Sequence, residues 1–137
     1  MADAEIVFPV EDIPSSSLVF MRVHSSRMKD GLPNVGAVTP KGGSRGLSVD
    51  WDKYSTPEDT LGRANKPKEN AVVSMEVAKI REIKIKENLD VKHRPLASNR
   101  SHSEVPFSAD PTDQTEARVK LLRIVNVIIP IWPATQS

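Results

Sequence analysis

A chain of 137 residues has the length of one domain of roughly 100 to 150 residues, so one core and one site are expected and not two domains. With 38% hydrophobic residues, 4% aromatics and 11 prolines, the core has to be built from Val, Ile and Leu, and a good part of the chain is loop. The net charge of +1 conceals an uneven distribution, and the absence of cysteine excludes disulfide frameworks, thiolate zinc sites and cysteine nucleophiles together.

In chain order, residues 1–17 end in Pro14-Ser15-Ser16-Ser17 and follow neither structural period, so they are expected to form a loosely held arm or a short edge strand around residues 5–10. Leu18-Val-Phe-Met-Arg-Val23 is a compact run of β-formers and predicts a buried strand. From His24 to Arg45 the breakers Gly31, Pro33, Asn34, Gly36, Pro40, Gly42 and Gly43 exclude a long helix. They imply a wandering loop, broken up by a short strand at Gly36-Ala37-Val38. Gly46-Leu-Ser-Val-Asp50 alternates, with Leu47 and Val49 on one face and Ser48 and Asp50 on the other.

Thr56 with Pro57, Glu58 and Asp59 is a helix start, and this short helix should cover residues 57–64. Ala71 to Met75 predicts a strand, followed by a helical turn through Val77, Ile80 and Arg81. The alternation at Ile83-Lys-Ile-Lys86 predicts a strand continuing in pieces through Leu89 and Val91 to His93. Ser103 to Phe107 is a last short strand that Pro106 places at an edge or terminates. Beyond Asp110, the residues Ala117, Leu121, Ile124, Val125 and Ile128 fall at helical spacing, and Glu116 and Lys120 pair across one turn. The β-branched stretch 125–132 fits either a helix or a strand, ended by Pro130 and Pro133.

These elements predict an α+β fold, a small mixed or mostly antiparallel sheet packed against one main C-terminal helix. The predicted organisation is an arm over 1–17, one domain over 18–133 and a frayed tail over 134–137. The acidic, proline-broken start lacks the features of a secretory signal, and the longest apolar run is too short for a membrane helix of about 20 residues. A cytoplasmic protein without membrane contact is the expectation.

Residues 1–62 hold six Lys/Arg against nine Asp/Glu, whereas residues 63–100 hold ten against five. The basic residues there are interleaved with acids and lack aromatic stacking platforms, so nucleic acid is a weaker expectation than a solvated mixed-charge surface. The segment 93–104 concentrates more chemistry than any other, with His93, Arg94, Asn99, Arg100, His102 and Glu104. Arginine offers planar donors for phosphate or carboxylate, and histidine exchanges protons near neutral pH. Set against this is a polar loop whose Asn99 and Ser101 bond their own backbone. Arg22, inside an apolar strand, either faces solvent or forms an anion clamp with Arg94 or Arg100. A metal site is not expected, because His93 and His102 are nine positions apart and no ligand spacing repeats. Asp50 and Asp52 share a face only if their strand continues past Trp51.

Two functional readings follow. The first is a binding module that uses residues 93–104, with Arg22 and His24, for an unknown protein or a small anionic ligand. It needs no cofactor, and Trp51 and Tyr54 are expected as exposed anchors. The second is an enzyme acting on a nucleotide or RNA through the same residues, with His102, His93 and Glu104 as the catalytic candidates. In one form it is a metal-independent hydrolase. In the other, the order Arg22, Ser48, Glu104 resembles the arginine, serine and glutamate of one class of ADP-ribosyltransferases, in which the arginine holds NAD phosphate, the serine supports the sheet and the carboxylate assists transfer. Ser48 stands in Leu47-Ser-Val49 instead of that family's serine-threonine-serine run, and position 102 is histidine where an acid or glutamine is usual. The stretch Gly42 to Gly46 precedes a strand and not a helix, so it reads as a turn and not a phosphate cradle. Finally, Val127, Ile128, Ile129, Ile131 and Trp132 exceed what one helix stripe buries and suggest a homodimer contact.

Overall fold

Residues 7–39 and 46–131 are described in the computed structural model. The predicted turn at 42–45, the tail at 134–137, Trp132 and the start of the 5–10 strand lie outside these residues, while 7–10 have no regular structure. Among the described residues, eight strands and three α-helices follow in order: β1 Leu18–His24, β2 Met28–Lys29, β3 Leu32–Pro33, β4 Gly46–Trp51, α1 Pro57–Gly62, β5 Asn70–Glu76, α2 Val77–Glu82, β6 Lys92–His93, β7 His102–Pro106, α3 Pro111–Leu122 and β8 Asn126–Ile129. Six of the strands form one sheet in the order β6-β7-β4-β1-β5-β8, and every pairing in it is antiparallel. The α+β architecture with a main C-terminal helix is therefore as the sequence predicts. No helix among the described residues is long and apolar enough to cross a membrane.

Strand alternation divides the sheet into two unlike faces. Val19, Met21 and Val23 of β1, Leu47, Val49 and Trp51 of β4, Val73 and Met75 of β5, and Val105 of β7 point into one core. Val77 and Ile80 of α2 and Ala117 and Leu121 of α3 complete it. The opposite face carries Phe20 and Arg22, Ser48 and Asp50, Ser74, and His102 and Glu104, aligned by the register Phe20 to Asp50, Phe20 to Ser74, Asp50 to His102 and Ser48 to Glu104. Helix α1 packs on this second face against β1 and β5. A capping box starts it: Thr56 Oγ1 accepts from the Asp59 amide, and the Asp59 carboxylate accepts from the Thr56 amide, satisfying two amides that a helix start leaves free.

Several local expectations are corrected. Val35 to Val38 is a single-turn 3-10 helix and not a strand, because Asn34 caps it by accepting from the Gly36 amide. Residues 24–39 also contain the β2–β3 hairpin, turned by Asp30 and Gly31, both at positive φ. That geometry favours an Asp-Gly pair. Residues 83–91 are not a strand: the Leu89 amide bonds back to the Ile83 carbonyl and only an isolated bridge, Lys84 to Asn88, forms. Of the two roles expected for Pro106, it terminates β7 and does not place it at an edge: β7 is interior, between β6 and β4, and the proline lies beyond the two residues that β6 pairs. The open choice at 125–132 resolves to strand for 126–129, since α3 stops at Leu122 and β8 pairs with β5. Trp51 is 2% exposed and donates through Nε1 to Ser17 Oγ, so it is a core residue and not an exposed anchor; Tyr54 is half-buried against that core.

Segment 11–17 lies against this framework. Ile13 is buried in the core, and the carbonyls of Ser17 and Ser15 accept from the first amides of α2, Val77 and Ala78.

Asp110 caps α3 through the amides of Asp113 and Thr112, which hold its carboxyl below the usual value of 3.8, with help from Lys86. A lowered folded value means the contribution is whole above the ordinary carboxylate range and is lost as the pH falls through it. Wild type should lose more stability between about pH 5 and pH 3 than Asp110→Asn, which keeps a neutral cap. Urea melts at the two pH values check this; equal losses would show that the cap does not titrate with folding.

Candidate functional site

The second face of the sheet is organised by one carboxylate. Asp50 is 6% exposed, and three side chains donate to it: Thr60 Oγ1 at 2.8 Å and Arg63 Nη1 at 2.9 Å to Oδ2, and Asn99 Nδ2 at 2.9 Å to Oδ1. An unpaired carboxylate would be expensive here, and these donors offset its desolvation. They also tie α1 and the 94–102 connection to the centre of the sheet. That connection is the turn of a β6–β7 hairpin, closed by reciprocal backbone bonds between Leu96 and Asn99 and by the Arg94 amide on the His102 carbonyl.

Between these elements lies a hollow of about 530 Å3 lined by Phe20, Arg22, Ser48, Asp50, Leu96 and His102, among others. Arg22 donates through Nη1 to the Thr60 carbonyl at 2.8 Å; among the described residues it has no carboxylate partner. His102 holds its Nδ1 at 2.8 Å from the Arg94 carbonyl. A carbonyl can only accept, so Nδ1 carries the proton and Nε2 presents a lone pair. That Nε2 lies 3.4 Å from Ser48 Oγ.

Compared with known proteins, the chain matches no family model, no curated protein and no solved structure. The structure divides the predicted site residues into two groups. Arg22, Asn99 and His102 come together at the hollow. The others do not line it. His24 accepts the Ser26 amide on Nδ1, so Nε2 carries the proton that faces Glu69, 3.5 Å away. His93 is buried on the other face of the sheet. Its Nδ1 accepts the Glu11 amide, its Nε2 donates to the Arg100 carbonyl, and its ring meets Trp51 edge-on with centroids 5.1 Å apart.

Arg94 and Glu104 pair with each other at 3.2 Å. Arg100 lies over Tyr54, 4.2 Å from the ring centroid, and 3.7 Å from Glu11. The Glu11 carboxylate is held below its ordinary value by donation from Lys53 and Tyr54, which fixes the segment before β1 to the sheet. His93, Arg94, Glu104 and segment 7–12 line a second hollow, which meets the first at Leu96 and His102.

The suspected Asp50 and Asp52 pair separates, because β4 ends at Trp51 and Asp52 enters an exposed turn. Among the described residues no group of three acidic or histidine side chains could hold a metal ion. Thr60 and Arg63 were not singled out by sequence; their signal is the capping box, which places Thr60 one turn into a short helix and Arg63 just past its end, over an acidic position.

Removing the Asp50 carboxylate leaves Arg63, Asn99 and Thr60 without their acceptor. Asp50→Ala should lower the unfolding free energy by about 3 kcal/mol, whereas exposed Asp52→Ala should stay within about 0.5 kcal/mol. Urea denaturation of the two variants measures the difference; comparable values would remove Asp50 from its organising role.

Proposed function

We propose that the protein is a binding module for a small organic anion, held in the hollow on the second face of the sheet. The single observation that carries this reading is Arg22. It stands in a wall of the hollow on a rigid central strand, spends one donor on a backbone carbonyl and has no carboxylate against it among the described residues. The other arginines of the region pair with acids, Arg63 with Asp50, Arg94 with Glu104 and Arg100 with Glu11. A guanidinium left with free planar donors in a concave site suits phosphate or carboxylate.

Hydroxyl and imidazole groups of Ser48 and His102 supply neutral partners, and Leu96, 48% exposed, offers an apolar surface to the rest of the ligand. Within the 93–104 segment, His102 and Leu96 are then contact residues, and Asn99 positions the turn through Asp50. A cytoplasmic setting belongs to the same reading, on the grounds of a cysteine-free chain.

Calorimetric titration with inorganic phosphate and with AMP tests it. Wild type should bind at least one of the two, and Arg22→Met should weaken that binding roughly tenfold or more, the loss expected of one charge-assisted contact. Exposed Arg123→Ala on the far side of α3 should not. No binding of either probe by wild type, or undiminished binding by Arg22→Met, overturns the proposal.

A second reading, nucleotide-directed chemistry, is favoured by one observation: Arg22, Ser48 and Glu104 occupy the same face on the neighbouring strands β1, β4 and β7. Glu104 in that arrangement is ion-paired to Arg94. Self-association through β8 is proposed on separate grounds. Among the described residues it is the last strand of the sheet, and Ile128 is 40% exposed on it, which leaves a backbone edge and apolar side chains for a second copy. Sedimentation equilibrium should show a dimer that Ile128→Lys disrupts; a monomer at high concentration would dispose of it.

A further inference from the structure

Each of the three histidines has its ring nitrogens committed differently, and the differences single out one of them. His93 uses both nitrogens on backbone groups, accepting from Glu11 and donating to Arg100, so it has nothing to exchange with a ligand. His24 also lies close to a serine hydroxyl, with Nδ1 2.9 Å from Ser26 Oγ, but that same lone pair already accepts the Ser26 amide at 3.1 Å. His102 is different. Its Nδ1 proton is fixed on the Arg94 carbonyl, and the only group facing its Nε2 lone pair among the described residues is Ser48 Oγ. Ser48 in turn is exposed, on a strand whose neighbouring residues Leu47 and Val49 are locked in the core, so its hydroxyl is presented to the hollow from a rigid support. A nucleophile, a base within reach of it and a third group that sets the tautomer of the base are the three parts that activate a serine. The orienting group here is a carbonyl where the familiar triad has a carboxylate; Asp50, the cross-strand partner of His102, is engaged elsewhere by Thr60, Arg63 and Asn99.

We propose that Ser48 is a nucleophile activated by His102, and that the hollow hydrolyses a carboxylic ester whose substrate carries an anionic group for Arg22. The identity of that substrate class rests on the anion-binding reading; the activation of Ser48 does not. Ser48 Oγ attacks the ester carbon as its proton passes to His102 Nε2. The bond from that carbon to the alcohol oxygen then breaks, and the departing alcohol takes the proton from His102, leaving an acyl group on Ser48. Water attacks the acyl carbon and gives a proton to His102; the bond to Oγ breaks, Oγ recovers that proton, and the free acid leaves. Water is the one co-reactant, and every proton is returned. The separation of 3.4 Å is at the long end for proton transfer, as is common before a substrate draws the groups together.

Diisopropyl fluorophosphate, a neutral reagent for activated serines, tests this on the intact chain, with the adduct located by peptide mass mapping. Ser48 should be modified at least tenfold faster than Ser98, an exposed serine that lines the same hollow without a histidine against it. His102→Gln should slow the Ser48 reaction at least tenfold. A Ser48 rate equal to that of Ser98 in wild type overturns the proposal without recourse to any variant, and so does an unchanged rate in a folded His102→Gln protein. Because the reagent carries no anion, the outcome is independent of Arg22. Labelling without binding of phosphate or AMP would remove the anion-binding reading alone, and binding without labelling would remove the ester chemistry alone.

Discussion

The geometry of the second face depends on how one buried carboxylate is neutralised. Asp50 is placed there by strand alternation, since Val49 and Trp51 on either side of it are core residues and a strand cannot turn one without turning the others. Once there, it must find donors, and the three it finds belong to two different parts of the chain: Thr60 and Arg63 on α1, and Asn99 in the β6–β7 turn. The cost of an acid in that position is thereby converted into the location of a helix and a loop. The hollow is the space they leave between them. Its wall residues Arg22 and Ser48 come from β1 and β4, two positions along each strand from the Phe20 to Asp50 pair.

The same 94–102 turn is held a second time from the other side. Glu11 accepts from Lys53 and Tyr54 and lies beside Arg100, while its own amide reaches His93. Arg100 is thus fixed between the rings of Tyr54 and Phe8, and its carbonyl receives the proton of His93. With Asn99 anchored to the sheet and Arg100 anchored to the segment before β1, consecutive residues of the turn are pinned on opposite sides. His102, two residues on, begins β7 and inherits that rigidity. A loop rich in polar residues would ordinarily be the mobile part of a small domain; here its bonds resemble those of a strand crossing.

Periodicity made part of the structure legible in the sequence. The run of β-formers at 18–23 and the alternation of 46–50 located β1 and β4, the spacing of Ala117 and Leu121 marked two core residues of α3, and Thr56 with Pro57 located α1, whereas the alternation of 83–86 and the helical spacing carried on to Ile128 did not hold. What the sequence concealed had two causes. Short-range hydrogen bonding decided the 34–38 turn and the 83–91 stretch against their β-like composition, and the Asp30-Gly31 pair, a hairpin signal in its own right, was lost among the other breakers. For the site, composition put His93, Arg94, Asn99, Arg100 and His102 in one cluster, yet alternation and the turn send them to different partners. Sequence proximity within a hairpin places side chains on opposite faces as readily as on the same one, so a cluster along the chain is weak evidence for a cluster in space. The pairing of His102 with Ser48, 54 positions apart, is a cross-strand diagonal that the register of β4 and β7 sets, and no local pattern announces it.

The distribution of polar residues also separates what holds the fold from what is free to act. Asp50, Thr60, Asn99 and His93 are spent on intramolecular partners, and replacing any of them leaves a buried group unsatisfied. Arg22, Ser48 and the Nε2 edge of His102 are different: they border the hollow with capacity unspent among the described residues, and the core beneath them is closed by Met21, Val23, Leu47 and Val49 irrespective of what they do. A fold that merely needed a solvated face would be served as well by threonine or lysine at these three positions. A guanidinium, a hydroxyl and an oriented imidazole around one concavity, with donors and acceptors left over among the described residues, form an arrangement that a ligand could complete, and this deficit, more than the presence of any one residue, is what supports the proposed recognition at this face.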